Sequence, residues 1–338
     1  MREIVISKAG LPEVLTIREA SEPAPGPGEV RIRVRASGVN FADIMARMGL
    51  YPDAPPIPCV VGYEVAGEID ALGEGVQGIE LGEPVLALTR FCGYSEAVVV
   101  PAEQIAAIPE GLSFEKAAAI PVNYLTAWLM LVRLGALRKG DRVLVHAAAG
   151  GVGQAALQIC LAHGAEVIGT ASAGKHERLR SLGVAHCIDY RNDDFEVAVA
   201  RITEGRGVDI VLDAVGGKSL RKSYRCLAPM GRLFAFGASS LAPATRRKIV
   251  PAIRGFLSMP RFGAVEMMDD NRGVFGVNLG HLWEQRSVLQ AMLGEVLEGV
   301  SAGHYDPVVD RTFPFAEAAA AHAYIQARKN FGKIILVP

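Results

Sequence analysis

Ala148, Gly150 and Gly153 lie in DRVLVHAAAGGVGQAALQIC, Asp141 to Cys160, at the spacing of a turn that can hold a diphosphate. Gly150, Gly151 and Gly153 let the backbone turn sharply and approach a ligand with no Cβ in the way. Such a turn aims backbone N–H groups and the positive end of a helix dipole at an anion. The usual dinucleotide fingerprint is G-x-G-x-x-G, followed about 20 residues later by an acid for the ribose 2′-hydroxyl. Here Ala148 replaces the first glycine, and no carboxylate follows Gly169-Thr170-Ala171. Ser172, Lys175 and Arg178 come instead, and a cation there suits a 2′-phosphate. The pattern favours NADPH over NADH; the alternative is that Lys175 and Arg178 are a solvated helix face.

Metal chemistry lacks a comparable pattern. A zinc enzyme needs several Cys, His or carboxylate ligands converging on one site. The histidines (His146, His163, His176, His186, His281, His304, His322) show no paired ligand spacing, and His146 reads as a packed or hydrogen-bonded residue. Cys59, Cys92, Cys160, Cys187 and Cys226 are odd in number, scattered and without a C-x-x-C pair. That argues against a disulfide framework and a thiolate zinc site, and suits a reducing cytoplasm. No G-x-S-x-G nucleophile elbow is present.

The hydrophobic pattern supplies the scaffold for these residues. Val143 to Val145 reads as a strand buried on both faces, and Val152, Ala155, Ala156, Ile159 and Cys160 share one helical face. Beyond them strand and helix alternate: strands at 166–170, 186–190, 209–213 and 232–236, helices at 175–182 and 195–203. This spacing implies right-handed crossovers and a doubly wound parallel sheet, with ligands beyond the carboxyl ends of its strands. Before about Val122 the chain is instead a series of short strands broken by Gly and Pro, an irregular β-barrel-like pattern. Asn40 to Pro58 reads as one short helix and a proline-rich loop. After Gly237 an irregular piece runs to Asn271, and a long helix is expected from about 284 to 302. The 338 residues suit two domains. A net charge of −1 gives no reason to expect nucleic acid as a partner. No apolar run approaches the roughly 20 residues that span a bilayer.

The whole chain resembles the medium-chain dehydrogenase/reductase superfamily, in its zinc-independent quinone oxidoreductase (zeta-crystallin-like) branch. Gly140-Asp141, Leu144, Ala148-Ala149-Gly150-Gly151, Gly153 and Gln158 carry the likeness, which departs at Leu161. PGPGEV, SGVNFADI, AAAIPVNYLTAW and GKIILVP carry it further. NFADIMARMGLYP, VNYLTAW, GTASAGKHERL and KNFGKIILVP resemble the vesicle amine transport protein homologues within that branch. The resemblance implies an α/β chain with a discontinuous β-rich, GroES-like catalytic domain (1–122 and 280–338) and a Rossmann domain (123–279). It also implies no zinc: the zinc-dependent relatives carry Cys near Asn40, His at Tyr63 and Cys near Asn123.

With no metal, the chemistry implied is hydride transfer from NADPH to a quinone or an α,β-unsaturated carbonyl, whose oxygen accepts charge without a Lewis acid. By resemblance Asn40 and Thr126 contact the nicotinamide ribose region, and Gly150, Gly151 and Val152 the pyrophosphate. Gly169, Ser172, Lys175 and Tyr190 surround the adenosine 2′-phosphate. Gly237, Phe275 and Val277 border the nicotinamide, and Asn330 the far phosphate side. Asn40, Asp43, Tyr51 and Tyr63 are the catalytic candidates, the last three as polar groups facing the acceptor. A homodimer is expected from the family. The rival reading is a protein of the vesicle amine transport type that keeps fold and cofactor site with little catalysis. Its basis is the cationic, apolar segment 246–262, a candidate peripheral membrane contact, a cleft lid or a dimer contact.

Overall fold

The computed structural model describes residues 1–241 and 259–338; most of the 246–262 segment lies outside the described residues. Two compact units divide the chain: Met1–Leu125 with Leu279–Pro338, and the described residues between Thr126 and Asn278. No described helix is long and apolar enough to cross a membrane.

The first unit is built on a seven-stranded sheet. Its order is Val309–Pro314, Lys333–Val337, Glu29–Val39, Glu64–Leu72, Pro84–Leu88 and Ile105–Ala107, with Ala97–Pro101 also paired to Glu29–Val39. All pairings are antiparallel except the first. The long strand Glu29–Val39 changes character along its length. Val30, Ile32 and Val34 are buried, while Arg31 and Arg33 turn outward to Asp70 at 2.7 Å each. After Arg35 the alternation stops: Ala36, Ser37, Gly38 and Val39 are all buried. Small residues let the strand end enter the interior, and it delivers Asn40 to the start of the helix Phe41–Arg47.

The second unit is a six-stranded parallel sheet in the order His186–Asp189, Glu166–Ala171, Arg142–Val145, Val208–Asp213, Leu227–Ala235, Gly273–Gly276. This is the doubly wound order with its reversal beside the central strand Arg142–Val145. Val143, Leu144 and Val145 are buried to 2% exposure or less, as a strand covered on both faces requires. Helices Gly151–Ala162, His176–Ser181, Phe195–Ile202 and Lys218–Arg225 supply the crossovers.

Two elements differ from the sequence pattern. The piece between Gly237 and Asn271 contains a helix, Ala264–Asp270, closed by Asn271 in the left-handed conformation (φ 50°). None of its residues is fully buried, and Met267 packs part-buried against the core of the unit, so its apolar face is too short to read as a helix. The fifth strand starts at Leu227, five residues before Arg232, because Pro229 and Gly231 mimic a turn. The strand accommodates them with a register shift against its neighbour and Met230 at φ 65°.

Candidate functional site

In the second unit the strand Arg142–Val145 ends at His146, and Ala147 turns the chain with φ 54°. Ala148 N–H donates to Thr170 O at 3.1 Å, and Gly150 caps the helix Gly151–Ala162. The first internal helical bond is Gln154 N–H to Gly150 O at 2.9 Å. The amides of Gly151, Val152 and Gly153 precede it and point off the helix end, the arrangement an anion needs. A Cβ on Gly153 would stand 2.5 Å from Ala147 O and 2.7 Å from the Ala148 carbonyl carbon, both rigid backbone. Only glycine lets turn and helix approach so closely. Gln154, itself buried, braces the turn from inside through Nε2 to Ala148 O at 3.0 Å. This cradle fits a diphosphate.

The neighbouring strand Glu166–Ala171 ends beside it. Ser172 and Lys175 are half-buried at its carboxyl end, and Arg178 is exposed. Tyr190, half-buried, has the Arg191 guanidinium 6.0 Å from its ring centroid. Thr126 is buried on the helix Pro121–Trp128. Phe275 stacks on Phe234, ring centroids 5.1 Å apart, and Val277 N–H donates to Ala235 O at 2.9 Å just past the sixth strand. His146 is buried and hydrogen-bonded at both ring nitrogens, as its sequence context suggested.

The first unit holds the other candidates around a buried polar hub. Lys333 Nζ pairs with Glu64 Oε1, with side chains 3% and 0% exposed. Lys333 Nζ also donates to Asn40 Oδ1 at 2.6 Å and to Asn123 Oδ1 at 3.4 Å. Asn40 Nδ2 donates to Glu64 Oε1 at 2.9 Å, and Val122 N–H to Glu64 Oε2 at 2.7 Å. Both ends of the Asn40 amide are thus taken up inside this unit. Asn330, also here, turns its Nδ2 to Gly332 O at 2.9 Å.

Asp43 requires a correction. Rather than facing an acceptor, it is fully buried at the third position of the helix Phe41–Arg47. It accepts Asn40 N–H at 2.7 Å, Gly62 N–H at 3.1 Å and Tyr94 O–H at 3.1 Å. It caps the helix and ties it to the 62 and 94 loops. Burial pushes its carboxyl up to about 7, against these hydrogen bonds and the charge of Lys333.

Tyr51 and Tyr63 do come together, edge to face with centroids 6.2 Å apart, and Phe91 lies 5.4 Å from Tyr63. Tyr63 Oη is buried and makes no hydrogen bond among the described residues. Burial, with Asp43 nearby, raises the Tyr63 phenol far above its usual range, so it stays protonated. The arrangement sets one hydrogen-bond donor among an edge-on and a tilted aromatic ring.

Sequence reasoning passed over Glu64, Lys333 and Asn123. A signal was there: Glu64 interrupts VVGYEVAG and Lys333 opens KIILV, single charges in apolar surroundings that need a buried counter-charge. Among the described residues no three His, Cys, Asp or Glu side chains are grouped so as to hold a metal ion.

A GroES-like β unit and a Rossmann unit on one chain define an oxidoreductase class. The alcohol dehydrogenase GroES-like domain model matches residues 26–110, and the zinc-binding dehydrogenase model matches 182–336. The human synaptic vesicle membrane protein VAT-1 homolog is 42% identical over 325 residues, 96% of this chain and 82% of that one. A 2-haloacrylate reductase from a Burkholderia species is 37% identical over 343 residues, covering 99% and 98%. The crystal structure of Escherichia coli quinone oxidoreductase complexed with NADPH superposes with a TM-score of 0.89 at 30% identity, covering both chains completely. The chain belongs to the medium-chain dehydrogenase/reductase superfamily, alongside VAT-1 homologues and quinone oxidoreductases.

Proposed function

We propose that this protein is a zinc-independent, NADPH-dependent reductase of quinones or α,β-unsaturated carbonyl compounds. The observation that carries it is the open helix end at Gly151–Gly153 beside a strand end bearing Ser172 and Lys175 where an NAD site carries an acid. Bound NADPH supplies the hydride. The amides of Gly151 and Val152 hold its diphosphate, and Gly150, whose own N–H donates to Ala147 O at 2.8 Å, turns the chain beneath it. Gly169, Ser172, Lys175 and Tyr190 hold the 2′-phosphate and adenosine, while Thr126, Gly237, Phe275 and Val277 line the other end.

The acceptor class is drawn from the donor chemistry of the first unit and from the relatives, one named as a quinone oxidoreductase and one as a haloacrylate reductase. In a quinone or enone the arriving charge spreads onto an oxygen, which needs a hydrogen-bond donor more than a metal. Tyr63 supplies that donor, and Tyr51 and Phe91 hold its ring in place from an edge and a tilted face. Because burial holds the Tyr63 phenol so firmly protonated, it stabilises the oxygen by hydrogen bonding while solvent delivers the proton.

The test is NADPH oxidation by an ortho-quinone and by an alkenone in metal-chelated buffer. Turnover is expected with either; none across a broad acceptor panel, with NADPH binding intact, overturns the reading. Lys175→Ala should raise the NADPH Kd about tenfold or more and leave NADH binding nearly unchanged, from the loss of a charge-assisted bond. The identity with a VAT-1 homolog favours a second reading, membrane or partner association with little catalysis. Cosedimentation with anionic vesicles, with 246–262 intact and deleted, separates the two. We propose a homodimer, tested by light scattering.

A further inference from the structure

Beneath the dinucleotide turn runs a series of buried hydrogen bonds that the proposed chemistry leaves unused. Ser223 Oγ donates to Asp213 Oδ2 at 2.7 Å. With its proton turned there, Ser223 Oγ meets His146 Nε2 at 3.0 Å as an acceptor, which places the ring proton on Nε2. His146 Nδ1 is then the acceptor for the Thr170 hydroxyl at 3.1 Å. Thr170 Oγ1 accepts in turn from Ala147 N–H at 3.3 Å. Every proton points the same way, from Ala147 toward Asp213. All four side chains are at most 3% exposed. Burial holds His146 below its usual range, against the opposing pull of Asp213, so the ring is neutral and the series is intact at neutral pH.

The two ends of the series fix two different loops. At one end Thr170 receives both Ala147 N–H, through its hydroxyl, and Ala148 N–H, through its carbonyl at 3.1 Å. These bonds hold Ala147 at φ 54°, a conformation that residues with a Cβ rarely adopt. At the other end Asp213 Oδ1 accepts Val215 N–H at 2.8 Å and Gly216 N–H at 3.0 Å. That loop packs on Gly237, where a Cβ would lie 2.7 Å from Ala214 O.

We infer that Asp213, Ser223, His146 and Thr170 form a positioning relay that locks the diphosphate turn to the 214–217 loop, so that affinity for the whole cofactor depends on its continuity. None of the four is among the residues assigned to the cofactor, and the inference rests on the NADPH reading above.

The experiment measures NADPH binding by fluorescence titration in Thr170→Val, Ser223→Ala, the double variant and Thr170→Ser, at a temperature where circular dichroism finds each folded. Adenosine 2′-monophosphate, which lacks the diphosphate, serves as the second ligand. T170V and S223A should each raise the NADPH Kd about tenfold. The double variant should stay well short of the roughly hundredfold that independent effects would give, since one broken link already interrupts the series. T170S keeps the hydroxyl and should bind like the wild type, and adenosine 2′-monophosphate should bind all four equally. Unchanged NADPH affinity, multiplicative losses, or an equal loss for both ligands would each overturn the relay. If the wild type itself binds no NADPH, the cofactor reading falls and takes this role with it. Wild-type binding with unaffected variants removes the relay alone.

Discussion

Lys333→Met removes the cation at the centre of the first unit's polar hub and keeps most of the side-chain volume. Glu64, fully buried, and the half-buried Asn40 Oδ1 then lose their common partner. Stripping one partner from a buried ion pair costs about 3–5 kcal/mol, because the remaining charge is left in an apolar interior. Glu64→Gln should cost a similar amount for the mirror-image reason, since Lys333 would keep its charge with only Asn40 and Asn123 oxygens around it. The double variant carries no charge and retains an acceptor for Val122 N–H. Its loss should therefore fall short of the sum of the singles by about 2–3 kcal/mol. For a unit of this size each kcal/mol lowers Tm by about 2–4 °C, so K333M should melt about 6–20 °C early. The chain has two tryptophans, Trp128 in the second unit and Trp283 in the first. Urea and thermal unfolding followed by fluorescence in a Trp128→Phe background reads the first unit alone. A K333M loss under about 1 kcal/mol, or a double variant at the plain sum, would refute the hub as the centre of this unit's stability.

Gly153→Ala should weaken NADPH binding at least tenfold and lower second-unit stability, although alanine normally gains about 1 kcal/mol over glycine inside a helix. The added Cβ meets backbone at 2.5 Å, and titration with urea unfolding in parallel checks both effects. Tyr63→Phe should cut kcat/KM for a quinone about ten- to hundredfold with NADPH affinity unchanged. It should leave Tm level or slightly higher, because a buried hydroxyl with no bonded partner among the described residues is removed. Asp43 makes stability depend on pH in a direction opposite to most carboxylates. It titrates near 4 when unfolded and near 7 when folded. Between those values the folded state keeps a proton that the unfolded chain releases, so this contribution falls as pH rises from about 4 to 7 and is level above. Unfolding free energies from urea titration of wild type and Asp43→Asn should diverge across that window by on the order of a few kcal/mol; parallel pH curves would contradict it.

Why the cofactor turn could be read from the chain and the hub could not is a matter of distance along it. Strand, turn and helix from Asp141 to Cys160 are continuous, so their chemistry is written in local spacing and glycine placement. The hub joins Asn40 to Lys333 across 293 positions and Glu64 to Val122 across 58, and no local pattern encodes such pairings. What a sequence can supply is the anomaly each partner leaves. Glu64 and Lys333 are lone charges in apolar runs, and each demands an unseen opposite. Asp43 is the converse case. Asn40-Phe41-Ala42-Asp43 has the form of a helix start, an amide at the cap and a carboxylate three residues on. Its polar groups were legible as capping before they were legible as chemistry. Tyr63 differs from Asn40 and Asp43 in that no described neighbour uses its hydroxyl. That surplus, beside Asn40, Asp43 and Glu64 whose polar atoms are all engaged, is the ground for proposing Tyr63 as the donor to the acceptor's oxygen.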